Sequence, residues 1–192
     1  MGRVILGIIL GFLLAPIMAL TWLWVGHPPV AVADPPLPFE RWITQVPLQA
    51  RIDHRPRPAI QPVEANEANF VAGAWIYRDQ CAACHGFYGK PSSFAAHMYP
   101  DAPQMWEKHR DSDVIGVSDD PPDETVWKVE NGIRLTGMPS FSHVLSETQI
   151  WQVSLLLANA DKPLPPAALQ IVKDEQPPAA TEPTVPQKAK RK

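Results

Sequence analysis

Gly73-Ala74-Trp75-Ile76-Tyr77-Arg78-Asp79-Gln80-Cys81-Ala82-Ala83-Cys84-His85-Gly86 is the stretch on which the reading of this chain turns. Upstream of the first cysteine, Phe70, Gly73, Trp75, Ile76 and Tyr77 recur at three-to-four spacing, which predicts a helix over residues 65–80 with one apolar face. Cys81 and Cys84 are the only two cysteines among 192 residues. Two thiols with two residues between them cannot staple distant parts of a fold. They suit a local chemical task at the end of that helix, with His85 as the next residue.

C-x-x-C-H is the attachment sequence for a c-type haem. Two sulfurs at this spacing reach the two vinyl groups on adjacent edges of one porphyrin, and the following histidine meets the iron. Imidazole is a strong proximal ligand. Thiol–disulfide exchange also uses C-x-x-C, but there the motif follows a strand and opens a helix. No strand pattern precedes Cys81. Structural zinc takes four ligands, often all cysteines or two cysteines with two histidines, and no paired partner motif exists in the chain. The residues therefore point to one covalently bound haem c held by Cys81, Cys84 and His85.

Two further helices are expected downstream. One runs from Pro122 or Asp123 to Glu130, with proline and acidic residues at its start and Asn131-Gly132 at its stop. The other runs from Ser146 to Ala158. Ser146 and Gln149 form a capping box, and Leu145 and Ile150 a hydrophobic staple.

Over residues 64–161 this pattern resembles the class I c-type cytochromes of the bacterial single-haem kind. The resemblance rests on Gly73-x-x-x-Tyr77-x-x-x-Cys81-x-x-Cys84-His85-Gly86, on Asn131-Gly132-Ile133-Arg134-Leu135-Thr136-Gly137-Met138-Pro139-Ser140-Phe141, and on the last helix with Trp151. It implies an all-α domain around one haem, in which the helix before the motif crosses the last helix. Gly73 would permit the close approach and Trp151 would fill the contact. It implies Met138 as second axial ligand, which raises the potential and leaves no open iron position. Met98, Met105, His97, His109 and His143 are the competing donors. The resemblance also implies a proline carbonyl that accepts the ligand imidazole's N–H, here Pro100 or Pro103. The stretch Phe87–Asp120 is longer and more polar than the shortest members carry. Its acidic pair Asp119-Asp120 reads as a solvated turn rather than a calcium site.

Outside the domain, Val4–Gly26 is a run of 23 residues without a charge, long enough to span a hydrocarbon core of about 30 Å. Trp22 and Trp24 suit the lipid–water interface, and Arg3 on the other side points to a cytoplasmic N-terminus. A cleaved signal at Ala31-Val32-Ala33 is the competing reading, though an h-region of about 7–15 residues is usual. Residues 27–63 read as a Pro-rich linker, with nine prolines between His27 and Pro62. Extended, it would reach roughly 100 Å; Phe39, Trp42 and Ile43 interrupt it. Residues 162–192 read as a disordered Pro-rich tail with a basic end.

The net charge of −3 conceals an acidic centre: residues 64–161 carry six Lys/Arg against fourteen Asp/Glu. Nucleic acid is excluded as partner, because phosphate neutralisation needs a basic face. The function expected is electron transfer by an extracytoplasmic, periplasmic haem domain tethered to the membrane, with membrane redox proteins as partners. No catalytic constellation stands out. The alternatives are the electron-transfer subunit of a dehydrogenase or oxidase complex, and a haem-based ligand sensor or peroxidase with a displaceable sixth ligand.

Overall fold

The computed structural model describes residues 1–59, 61–109 and 112–174. It contains seven α-helices and one short 3-10 turn, with no β-strand among the described residues. Two isolated bridges, Phe87 with Lys90 and Lys108 with Ile115, are the nearest approach to a sheet. The chain divides into two compact units, residues 1–43 and residues 44 onward.

In the first unit, α1 spans Gly2–Val25 and includes Pro16. Its 24 residues extend about 36 Å at 1.5 Å per residue. Its residues from Val4 onward carry no charge, so the helix is apolar on every side, and none of its side chains is buried. It is long and apolar enough to cross a membrane.

The second unit is the helical domain. It contains most of α2 (Glu40–Asp53), then α3 (Glu67–Gln80), α4 (Ala82–His85), α5 (Pro122–Asn131), α6 (Glu147–Leu157) and α7 (Pro166–Val172). Each main helix has a local reason for its ends. Asn66 caps α3 by accepting from the Asn69 N–H. Pro122, Asp123 and Glu124 open α5, and Gly132 closes it. Ser146 and Gln149 form the reciprocal capping box of α6.

Helix α3 packs against α6 and α7, and α5 packs against α6. The α3–α6 crossing has room only for glycine at position 73. A Cβ there would run into the Gln152 carbonyl oxygen and sit 3.2 Å from the Leu156 Cβ. Gly73→Val should therefore destabilise the domain by about 3 kcal/mol, at the upper end of overpacking costs. A thermal melt of the loaded protein checks this; an unchanged midpoint would mean the helices separate freely. Trp151 is buried with Val63 and Leu155, against Phe70 and Val126, so it fills the space beside the crossing.

Two expectations from the sequence are corrected. Residues 27–63 are not an extended linker throughout: Glu40–Asp53 is helical, with Pro47 inside. The other prolines lie at 28–38 and 56–62, which leaves a run between them long enough for four turns. Its end is built into the domain. Ile52 is 1% exposed and Arg55 6%. The Arg55 guanidinium donates Nε–H and Nη2–H to Asp123 Oδ2 of α5 at 3.1 and 2.7 Å, and Nη1–H to the Ile52 carbonyl at 2.7 Å. A buried arginine requires such partners.

Residues 162–192 are not a disordered tail throughout. Pro166–Val172 forms α7, and Ala168, Ile171 and Val172 are buried. Proline in a first turn costs no hydrogen bond, so Pro165-Pro166 starts this helix instead of forbidding it. Tyr88 donates its N–H to the Val172 carbonyl at 2.9 Å. The remaining tail, from residue 175, lies outside the described residues.

Candidate haem-binding site

Helix α3 stops at Gln80 and Cys81 begins a single further turn, α4, which carries Cys84 and His85. This turn is held from below by Tyr77. Its side chain is fully buried, and its hydroxyl donates to the Gly86 carbonyl at 2.6 Å, with the His85 carbonyl at 3.1 Å. Burial pushes the Tyr77 phenol far up, with the neighbouring Cys81 adding to the shift, so it stays a donor. The His85 carbonyl also accepts the Met105 N–H at 3.2 Å. Tyr77→Phe leaves a buried carbonyl without its donor. It should cost about 1–3 kcal/mol, read as a lower denaturation midpoint with the absorption spectrum of the loaded protein unchanged.

The stretch after the motif turns back onto it. His85 Nδ1 lies 2.8 Å from the Pro103 carbonyl oxygen. A proline carbonyl only accepts, so Nδ1 carries the proton and Nε2 keeps its lone pair. Of the two prolines left open by the sequence, Pro103 is the acceptor. Gln104 fastens the same corner: its Oε1 accepts the Ser92 N–H at 2.7 Å and its Nε2 donates to the Cys84 carbonyl at 3.3 Å.

Cys81, Cys84, His85 and Met138 all open on one cavity of ≈ 270 Å³. Val129 of α5 and Leu157 of α6 complete an apolar wall. Met138 stands on a closed loop. Gly132, at φ 67°, starts it in the left-handed region that favours glycine. Ile133 N–H donates to the Met138 carbonyl at 3.2 Å, and the Thr136 hydroxyl bridges the Ile133 carbonyl and the Met138 N–H. Among the competing donors, Met98 and Met105 also line the cavity, whereas His97, His109 and His143 do not. Met105 is tied by its own N–H to the His85 carbonyl, which puts its backbone on the imidazole side. Met98 reaches the Met138 loop, where its methyl group lies against Gly137.

The electrostatics suit a metal-binding imidazole and a Cys81 thiol that stays protonated. Burial pushes the Cys81 thiol up to about 12, reinforced by Cys84. A thiol of that kind is a poor thiolate, contrary to what disulfide exchange requires, and the two cysteines are not joined to each other. Burial also lowers His85, against the opposing hydrogen bond to Pro103, so the ring is neutral near pH 7.

Other lining residues carry no mark in the sequence. Leu48 of α2 reaches the cavity from the stretch read as linker. Thr125 of α5 is 4% exposed, and its hydroxyl has no partner. Lys128 also lines the cavity. Burial alone would lower Lys128, but its bonds to Asp120 and Glu124, both 2.8 Å, outweigh this and hold it above its ordinary value. The Asp120 carboxylate is thereby committed to an ion pair. No local periodicity marks these positions, because only the packing of α2 and α5 turns them inward.

An apolar cavity lined by two thiols, a neutral imidazole, a thioether and an orphaned hydroxyl fits a haem. Residues 68–155 match the family model described as cytochrome c oxidase, cbb3-type, subunit III. No curated protein matches the chain. Among solved structures, a chain of the Kuenenia stuttgartiensis reducing HAO-like protein complex Kustc0457/Kustc0458 is 22% identical, with a TM-score of 0.40, covering 65% of this chain and 61% of that one. The family match covers most of α3 and α6 and the whole of α4 and α5, which build most of the cavity: residues 68–155 form a class I-like c-type cytochrome domain, which implies a haem and a part in electron transfer.

Proposed function

We propose that this chain is a membrane-anchored electron carrier with one haem, bonded through Cys81 and Cys84 and ligated by His85 and Met138. The observation that carries the reading is the convergence of these four side chains on one apolar cavity, with His85 Nδ1 already engaged by Pro103. When bound, the haem supplies a one-electron oxidation and reduction at iron. The chain's own residues do the rest. Pro103 fixes the tautomer and orientation of His85, so that Nε2 is the free donor. Thr136 and Gly132 hold the loop that presents the Met138 thioether. Val129 and Leu157 exclude water, and the low dielectric favours the less charged reduced state.

Helix α1 supports anchoring, and the positive charge of Arg3 on its N-terminal side favours an inner N-terminus, with the haem domain on the outer face. A tether raises the effective concentration of the domain near membrane redox partners. The test is a reduced-minus-oxidised spectrum together with haem and protein quantitation. One c-type haem per chain is expected, and a protein purified without such bands overturns the reading. Protease added to intact spheroplasts should clip the domain; protection would place it inside.

A second reading is the electron-transfer subunit of a larger oxidoreductase. The matched family is described as an oxidase subunit, which favours it. Native electrophoresis of solubilised membranes separates the two, because a lone carrier migrates as a small protein. Neither reading expects carbon monoxide to bind the native reduced protein, as a sensor or peroxidase would.

A further inference from the structure

Helix α2 has two apolar faces, and only one is used by the domain. Leu48 lines the haem cavity, Ile52 is buried, and Arg55 just beyond the helix is clamped to Asp123. Centred roughly 150° around the helix from Leu48 and Ile52, at 3.6 residues per turn, Trp42, Ile43 and Val46 form a second stripe at helical spacing. Trp42 is 64% exposed, Ile43 60% and Val46 46%. Phe39, immediately before the helix, is 77% exposed. The sequence of this stripe, from Trp42 through Val46 to Ala50, carries no charge. Since the other face already supplies the contacts to the domain, the fold gives the stripe no internal role.

Chain connectivity indicates what covers it. Residues 26–39 alone separate α2 from the end of α1, so if α1 spans the bilayer, α2 begins near its surface. Tryptophan favours the headgroup boundary, and Trp and Phe are typical of the buried face of interfacial helices. An exposed apolar stripe on a helix beside the bilayer is buried in that boundary. We infer that α2 is an interfacial helix: the Trp42–Ile43–Val46 stripe rests in the headgroup region of the same bilayer that α1 crosses, while its Leu48–Ile52 face holds the haem domain. This rests on the anchoring role of α1, and on nothing about the haem ligands.

The test uses the full-length, haem-loaded protein in nanodiscs of phosphatidylcholine and phosphatidylglycerol. Spin labels are placed through Trp42→Cys, Val46→Cys and, as the aqueous control, Arg51→Cys. The labels at 42 and 46 should be relaxed by oxygen, which partitions into lipid, several-fold more than by a water-soluble nickel chelate, with the order reversed at 51. Labels at 42 and 46 as open to nickel as the control would overturn the proposal. So would equal shielding from both relaxants in nanodiscs and in detergent alike, which indicates a protein contact. Incorporation into the discs reports on α1 separately, so failure of the anchor and failure of the interfacial helix are distinguishable.

Discussion

Replacing both Cys81 and Cys84 with alanine should take the haem that survives acid extraction of the denatured chain from all of it to none. In the proposed attachment each thiol would add its S–H across one vinyl group of the porphyrin, so nothing would leave and each bond would survive these conditions. Either single variant retains one such bond and should keep its haem through extraction. A second consequence concerns folding. A cavity of ≈ 270 Å³, left empty at about 24 cal/mol per Å³, costs on the order of 6 kcal/mol. That is comparable with the whole stability of a typical domain, about 5–15 kcal/mol. The double variant produced without haem should therefore lose most of its helical far-ultraviolet signal, while wild type is folded. A double variant that still carried haem through extraction would end the covalent reading.

Met138→Ala should lower the midpoint potential by roughly 0.1–0.2 V, a fraction of the ≈ 0.8 V over which axial ligands set haem potentials. A soft thioether favours the reduced state, and its removal shifts the balance towards the oxidised one. The same variant should bind carbon monoxide readily in its reduced form, whereas wild type should not. Met98→Ala is the necessary comparison, since Met98 lines the same cavity and its methyl group lies against Gly137 of the ligand loop. It should move the potential little and leave the site closed to carbon monoxide. The reverse pattern, with Met98→Ala opening the site, would transfer the ligand role to Met98.

Both predictions draw on residues that stand out in the sequence, whereas the supporting contacts do not. Pro100 and Pro103 are equivalent as text; only the chain's return to the motif brings the Pro103 carbonyl 2.8 Å from His85 Nδ1. Composition misread both flanks of the domain. Proline-rich surroundings suggest extended chain, yet a short apolar run between prolines becomes a helix once a neighbour buries it. This is the case for Ile52 against the core and for Ile171 and Val172 of α7.

By itself the sequence determined the c-type cytochrome domain and the main helices. The C-x-x-C-H spacing, the capping box at Ser146, the Gly132 stop and the uncharged run of α1 are local, and their physics acts within one or two turns. Tertiary structure alone decided which proline carbonyl holds His85, that Arg55 locks onto Asp123, and that Leu48, Thr125 and Lys128 face the cavity. Those outcomes join residues far apart in the chain. They depend on how whole helices pack, and no local period records that.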